Sequence, residues 1–155
     1  MGEALKNRIK QDRFENPVQE VLLNLLVAAG HVRERLDRVF ASYEITHQQY
    51  NVLRILKGKH PEGYPRCEIS NRMIEKAPDV TRLIDRLEQQ GLVERARSQE
   101  DRRLSITRIT RAGLRLLDSL QPHVEEVLAY FAERVSLRDR RELSRICEGL
   151  YEEDE

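Results

Sequence analysis

Apolar residues in the first third of the chain recur at alternating spacings of four and three positions. The series is Val18, Leu22, Leu25, Ala29, Val32, Leu36, Val39 and Tyr43. A helix with this spacing presents one continuous apolar stripe, and Pro17 suits its first turn. The spacing predicts a helix of about 26 residues, about 40 Å long. Two interpretations are open: a long core helix, or a helix that also packs on a second subunit.

The second helix is predicted by its capping residues. Thr46 is placed to accept the backbone N–H of Gln49, and the Gln49 side chain is placed to reach back. Ile45 can pack on Tyr50 across the same turn, and Gly58 is a natural stop. A loop is expected to follow, with Gly58, Pro61, Gly63 and Pro65.

Two shorter helices then read as a helix-turn-helix. The first is predicted from Cys67 to about Ile74, with Ile69 and Met73 facing inward. After a break near Pro78, a stronger amphipathic helix follows and is closed by Gly91. Its apolar face consists of Val80, Leu83, Ile84 and Leu87.

A β-hairpin is expected directly after these helices. Residues 92–97 and 104–110 are rich in β-forming side chains and flank the polar segment 98–103. A helix-turn-helix followed by a hairpin is a winged helix. The fold class expected is therefore mainly α with a small β-hairpin wing, an α+β arrangement.

Exposed polar residues on this unit suggest nucleic-acid binding. Thr81, Arg82 and Arg86 lie off the apolar face of the stronger helix, and Arg102 and Arg103 lie in the predicted hairpin tip. Guanidinium groups on a helix can reach base edges in a major groove, and an arginine at a wing tip can enter the minor groove. The alternative is an ordinary solvated charged face.

The C-terminal third is predicted to be helical. Its apolar stripe is interrupted by Pro122, which is expected to kink the helix or restart it. Ser136, with Asp139 three residues later, predicts a new helix start. The apolar residues are Leu114, Leu117, Val124, Leu128, Phe131 and Val135 before this start, and Leu143, Ile146 and Leu150 after it.

Charge adds a second argument for a polyanionic partner. The net charge of the 155 residues is zero. Residues 1–65 nevertheless carry ten basic and eight acidic side chains, residues 66–115 twelve and eight, and residues 116–155 five and eleven. The middle of the chain is therefore basic, at +4, and its end acidic, at −6. A basic centre is compatible with DNA, although a solvated surface can have the same pattern.

Other classes of protein are disfavoured. No apolar run is long enough to span a membrane, so a soluble, cytoplasmic protein is expected. If it binds DNA, it would be nucleoid-associated. No phosphate-binding loop, GxSxG or HExxH motif occurs, so no enzymatic activity, catalytic residue or cofactor is expected. The four histidines are scattered, and no metal site is expected. Cys67 and Cys147 are interpreted as reduced packing thiols.

At these motifs the chain resembles the MarR family of bacterial winged-helix regulators. The matching segments are Thr46–Leu53, the TRLIDRLE-like run Val80–Glu88, Gly91–Val93, the wing Asp101–Arg103, Ile109–Thr110 and Gly113. Each is common alone, whereas their combination in this order is specific. The resemblance covers residues 45–117 by motif and the rest by helix order.

The resemblance implies a homodimeric repressor or activator that binds a pseudo-palindromic DNA operator. A repressor is expected, released from DNA by a small aromatic or acidic ligand. Residues 1–155 would form one MarR-type domain, with the winged helix at 45–112 and dimerisation helices at 16–44 and 113–151. The DNA-binding residues would be Thr81, Arg82, Arg86, Asp101, Arg102 and Arg103, with Asp101 orienting Arg103 and Arg102 contacting phosphate. The ligand pocket stays unassigned.

Two departures from the family pattern have consequences. Pro78 and Asp79 replace small hydroxyl residues at the start of the recognition helix, and Asp79 would be repelled by phosphate. Thr107 stands at a wing-strand position that is usually aliphatic, and a less buried second strand is expected there. The alternative function is a winged-helix and coiled-coil adaptor that binds a protein partner.

Overall fold

The computed structural model describes residues 2–11, 13–14, 16–97 and 104–152. The chain divides into two compact units, residues 1–47 and 48–155. Unit 1 contains helices α1 (Glu3–Ile9) and α2 (Pro17–Ala41). Unit 2 contains most of α3 (His47–Lys57), then β1 (Tyr64–Pro65), α4 (Arg66–Arg72), α5 (Val80–Gln89), β2 (Val93–Arg97), β3 (Ser105–Ile109), α6 (Arg111–Arg134) and α7 (Leu137–Tyr151).

Helix α2 confirms the long helix predicted from the apolar spacing. Pro17 occupies its first position, and the Asn16 side chain accepts the N–H of Val18 at 2.8 Å. The start of the apolar stripe is exposed, Val18 by 69% and Leu22 by 53%, which favours the interpretation in which α2 also packs on a second subunit. The short helix α1, which buries Leu5, was not predicted from the sequence.

The core of unit 2 is formed by the winged helix. Helix α3 contributes Val52, Leu53 and Leu56, and α5 contributes all four apolar residues that the sequence predicted to face inward. Helix α4 ends at Arg72, earlier than predicted. The reason is that the N–H of Ile74 bonds to the buried Asn51 side chain on α3, at 2.9 Å, instead of continuing the helix.

The predicted hairpin is confirmed within one residue at each strand end, but the sheet is larger. It has three strands in the order β1-β3-β2, and β1 pairs Tyr64 with Thr107. The predicted loop after Gly58 thus contains a strand. The expectation of a less buried second strand was wrong: Thr107 is 2% exposed. It lies on the central strand two positions before Ile109, on the same face of the sheet, and Ile109 is part of the core.

The C-terminal region consists of α6 and α7. Helix α6 runs through Pro122 as one element, so the predicted restart does not occur there. Proline removes one backbone hydrogen bond, and the remaining bonds of this 24-residue helix continue on both sides. The predicted start of α7 is confirmed, since Ser136 Oγ accepts the N–H of Asp139 at 3.2 Å. The observed class, mainly helical with a small antiparallel sheet, is the one expected.

Candidate nucleic-acid interface

Helix α5 has two chemically distinct faces. Val80, Leu83, Ile84 and Leu87 are buried in the core of unit 2. Thr81, Arg82 and Arg86 are exposed, as the sequence predicted. Within the described residues, no ion-pair partner contacts the Arg86 guanidinium. The helix is therefore anchored by one face and presents hydroxyl and guanidinium groups on the other.

The first turn of α5 is organised by Asp79. One carboxylate oxygen, Oδ1, accepts the backbone N–H of Arg82 at 3.0 Å and so caps the helix. The other, Oδ2, lies 3.2 Å from Nε of the same arginine. The sequence suggested only that Asp79 would repel phosphate. In the structure its charge is paired, and it is a structural residue of the helix start.

Arg95 of strand β2 connects the wing to the back of α5. Its guanidinium forms ion pairs with Asp85 and with Glu88, the latter at 2.9 Å. Its backbone N–H also donates to Glu88 at 3.1 Å. None of these three residues was predicted from the sequence to belong to the site. Asp85 and Glu88 are three positions apart on one helix, but only the fold shows that Arg95 faces them.

The base of the wing is fixed at the start of α6. Thr110 Oγ1 donates to the carbonyl of Gly91 at 2.7 Å and accepts the N–H of Gly113 at 3.1 Å. Gly113 is buried, and a β-carbon at this position would lie 2.3 Å from the Leu92 carbonyl oxygen. Only glycine lets the helix approach the strand this closely, which gives the Gly113 of the family motif a physical role.

Strand β1 supports the wing from its other edge. Gly63 has φ of +78°, and a β-carbon there would lie 2.2 Å from the Thr107 carbonyl oxygen. The Arg108 guanidinium donates to the Glu62 carbonyl at 3.0 Å, and the Arg72 guanidinium lies 4.6 Å from the centre of the Tyr64 ring. The first contact ties β3 to the loop before β1, and the second ties β1 to α4.

The wing tip itself lies outside the described residues. Asp101, Arg102 and Arg103, which the sequence singled out, belong to this segment, so their predicted roles stay predictions. On either side of this segment, Arg97 of β2 pairs with Ser105 of β3 at the last rung of the hairpin.

Other chemistry is sparse in the described part of the chain. The described residues contain no His, Cys, Asp and Glu group that could hold a metal ion. No described helix has the length and hydropathy of a membrane span. Cys67 is exposed, Cys147 is half-buried, and neither forms a disulfide.

Comparisons with known proteins find similarity to transcriptional regulators. The MarR family model matches residues 45–105. The crystal structure of a MarR transcription factor from Planctomyces limnophilus is 38% identical, with a TM-score of 0.64, and the match covers 88% of this chain and 98% of that one. The transcriptional regulator PecS of Dickeya dadantii is 28% identical, and the match covers 92% of each protein. The role of these relatives, transcriptional regulation, is not enzymatic.

A more distant structure shows the same fold. MepR of S. aureus, solved in complex with DNA, is 17% identical with a TM-score of 0.73, and the match covers 81% of this chain and 92% of that one. At this identity the likeness concerns the fold alone.

Proposed function

The chain belongs to the MarR family of transcriptional regulators, and from this premise we propose that it is a homodimer that binds a pseudo-palindromic operator in double-stranded DNA. Each protomer would place α5 in a major groove, and the two half-sites would lie about one helical turn apart, as in other dimeric helix-turn-helix proteins.

The observation that carries this proposal is the exposed face of α5. A helix that buries four aliphatic residues and turns Thr81, Arg82 and Arg86 outward is suited to contact bases and phosphates. The adjacent hairpin is held to α5 through Arg95, and the segment that joins its two strands contains Arg102 and Arg103. We assign Arg103 to the minor groove, Arg102 to phosphate, and Asp101 to a charge-assisted hydrogen bond that orients Arg103.

Exposed apolar faces support the homodimer. In unit 1 the first half of α2 exposes Val18, Val21, Leu22 and Leu26. In unit 2 helix α7 buries no residue and exposes Leu137, Leu143, Ile146 and Leu150. We propose that residues 16–44 and 113–151 form the dimerisation region of one MarR-type domain spanning 1–155, with residues 45–112 as the DNA-binding region.

The direct test is a titration of fluorescent DNA from upstream of the gene, at several salt concentrations, against an unrelated duplex. Sequence-specific binding is expected at nanomolar protein, and it should weaken steeply with salt as counterions are released from phosphates. Absence of binding by a folded dimer at low salt would contradict the proposal and favour a protein-binding adaptor.

Arg103→Ala tests the role of the wing. We expect the substitution to weaken operator binding by roughly 5- to 150-fold, since one groove contact is worth about 1–3 kcal/mol, while the dimer stays intact. The measurement is the same titration, with the mass in solution determined by light scattering. Equal affinity of the variant and the unaltered protein would remove the wing tip from the interface.

Regulation by a small molecule completes the proposal. We propose that an aromatic or acidic ligand binds the DNA-free arrangement of the dimer more tightly and thereby releases the operator, in keeping with repression. A panel of aromatic carboxylic acids added to the preformed complex tests it. The expected result is release by one or a few compounds, and release by none would count against this class of ligand.

A further inference from the structure

The start of the recognition helix holds an ion pair that no family motif accounts for. Asp79 caps α5 through Oδ1, and its second carboxylate oxygen lies 3.2 Å from Nε of Arg82. Both side chains are at the surface: Arg82 is 79% exposed and Asp79 is 49% exposed. An exposed pair of this kind contributes little to stability, so its position suggests another role.

Arg82 lies in the first turn of α5, where the residues of a recognition helix come nearest to base edges. A guanidinium group has five N–H donors in one plane, one at Nε and four at the two Nη atoms. Within the described residues, the only partner of this guanidinium is Asp79, at Nε. The Nη donors thus remain available in a plane whose orientation is set by the carboxylate.

Two parallel N–H donors in a fixed plane match the O6 and N7 acceptors of guanine in the major groove. The carboxylate also changes what Arg82 can bind. A negative charge beside the guanidinium reduces its attraction for phosphate, which carries no sequence information. It does not obstruct the neutral guanine edge.

We infer that Asp79 is a specificity-determining positioning residue: it orients Arg82 so that each protomer reads one guanine, and it weakens the attachment of Arg82 to phosphate. This inference rests on the proposed function. It goes beyond that function by assigning the base read by the first turn of α5 and the residue that imposes the choice.

The test is selection from a random duplex library with the purified dimer, followed by affinity measurements on the selected site and on single base-pair replacements. We expect one guanine in each half-site whose replacement by adenine lowers affinity roughly 5- to 150-fold, and we call this factor the guanine ratio. Arg82→Lys, which keeps the charge but loses the planar donors, should reduce this ratio to a few-fold at most.

Asp79→Asn separates positioning from capping. Asparagine is as good a cap as aspartate, so the stability of the protein should be retained. The amide is neutral, and it can present an NH₂ donor where the Oδ2 carboxylate oxygen now lies 3.2 Å from Nε. We therefore expect the guanine ratio to fall several-fold while affinity for unrelated DNA rises. Serine also caps helices and has no carboxylate, so Asp79→Ser should give the same result as Asp79→Asn.

Glu94→Gln is the matched control, because it removes one exposed carboxylate from strand β2 of the same unit. It should raise affinity for unrelated DNA at most slightly and leave the guanine ratio unchanged. An unchanged guanine ratio in stable Asp79→Asn would show that Asp79 only caps the helix and would overturn the inference. An unchanged ratio in Arg82→Lys would overturn it as well.

Failure of the proposed function has a different signature. If the unaltered protein enriches no sequence from the library, the operator-binding proposal fails, and this inference fails with it. If it enriches a palindromic site, but Asp79→Asn and Arg82→Lys both leave the guanine ratio at that site unchanged, the proposed function stands and only the role of Asp79 is lost.

Discussion

At the scale of single residues, burial changes the acid–base chemistry of His47. Its ring packs edge-on to Phe40, with ring centroids 5.6 Å apart, and its Nδ1 is buried without a hydrogen-bond partner in the described part of the chain. Desolvation and the positive charge of Arg33 lower the pKa of His47 below its usual 6.5, and Asp37 opposes the shift only in part.

This lowered pKa predicts a pH-dependent stability. His47 binds a proton more readily in the unfolded chain than in the folded one. The contribution of neutral His47 to the free energy of unfolding is therefore complete above about pH 6.5. The contribution is lost as the pH falls from there toward the folded-state pKa. We expect urea midpoints to drop more between pH 8 and pH 5.5 for the unaltered protein than for His47→Gln. Parallel pH profiles would contradict this.

Two glycines predict opposite effects of one substitution. Gly113→Ala should destabilise the protein by at least about 1 kcal/mol, because the new methyl group would meet the Leu92 carbonyl oxygen at 2.3 Å. Gly149→Ala on α7 meets no atom within 4 Å and should stabilise it by about 0.5–1 kcal/mol. The midpoints of thermal unfolding of both variants measure the difference. Shifts of the same sign would contradict the prediction that only Gly113 is required by a close approach.

At the scale of elements, the winged helix depends on contacts between segments that are distant in sequence. Thr110 holds the end of the hairpin to the loop after α5, and Lys57 of α3 pairs with Asp118 of α6 at 3.0 Å. The contact of Arg95 with Asp85 and Glu88 sets the hairpin against α5. An element that contacts DNA is useful only if its neighbours fix its orientation.

Arg95→Met tests this connection. Methionine keeps most of the aliphatic stem but leaves two carboxylates unneutralised on α5. We expect a loss of about 1 kcal/mol in the free energy of unfolding, modest because the pairs are partly exposed, and weaker operator binding. Arg97→Met, on the same strand but with no ion-pair partner among the described residues, is the control for stability. Equal effects of the two substitutions on stability would argue against a special role for Arg95.

At the scale of the whole molecule, each unit exposes aliphatic side chains, which is unfavourable in a monomer because water contacts them. Ile146 on α7 is 46% exposed and lies on the same stripe as Leu143 and Leu150. Contiguous apolar surface of this kind marks an interface. In a dimer, the spacing of the two recognition helices would be set by how these surfaces meet.

Ile146→Glu is expected to convert the dimer to a folded monomer, because an unpaired carboxylate would be buried at the interface. Ser144→Glu adds the same charge at an exposed position off this stripe and should leave the dimer intact. Analytical ultracentrifugation over a range of concentrations distinguishes the two. A dimer that persists in Ile146→Glu would place the interface elsewhere.

The sequence by itself determined the features that depend on neighbours along the chain. The four-three spacing of α2, the inward face of α5, the Ser136 cap and the two hairpin strands were predicted within a few residues, because periodicity and capping act within one or two helical turns. The family motifs likewise predicted the polar face of α5.

Only the tertiary structure decided the features that join distant segments. Strand β1 has two residues and exists because β3, some forty positions later, pairs with it. The burial of Thr107 follows from the packing of the inner face of β3, which also carries Ile109, and the two partners of Arg95 follow from how the hairpin packs on α5. The two contacts of Asp79, the cap of α5 and the ion pair with Arg82, also depend on the three-dimensional structure. The charge of Asp79 alone predicts only repulsion from phosphate. Such contacts are set by the packing of whole elements, to which local sequence patterns are insensitive.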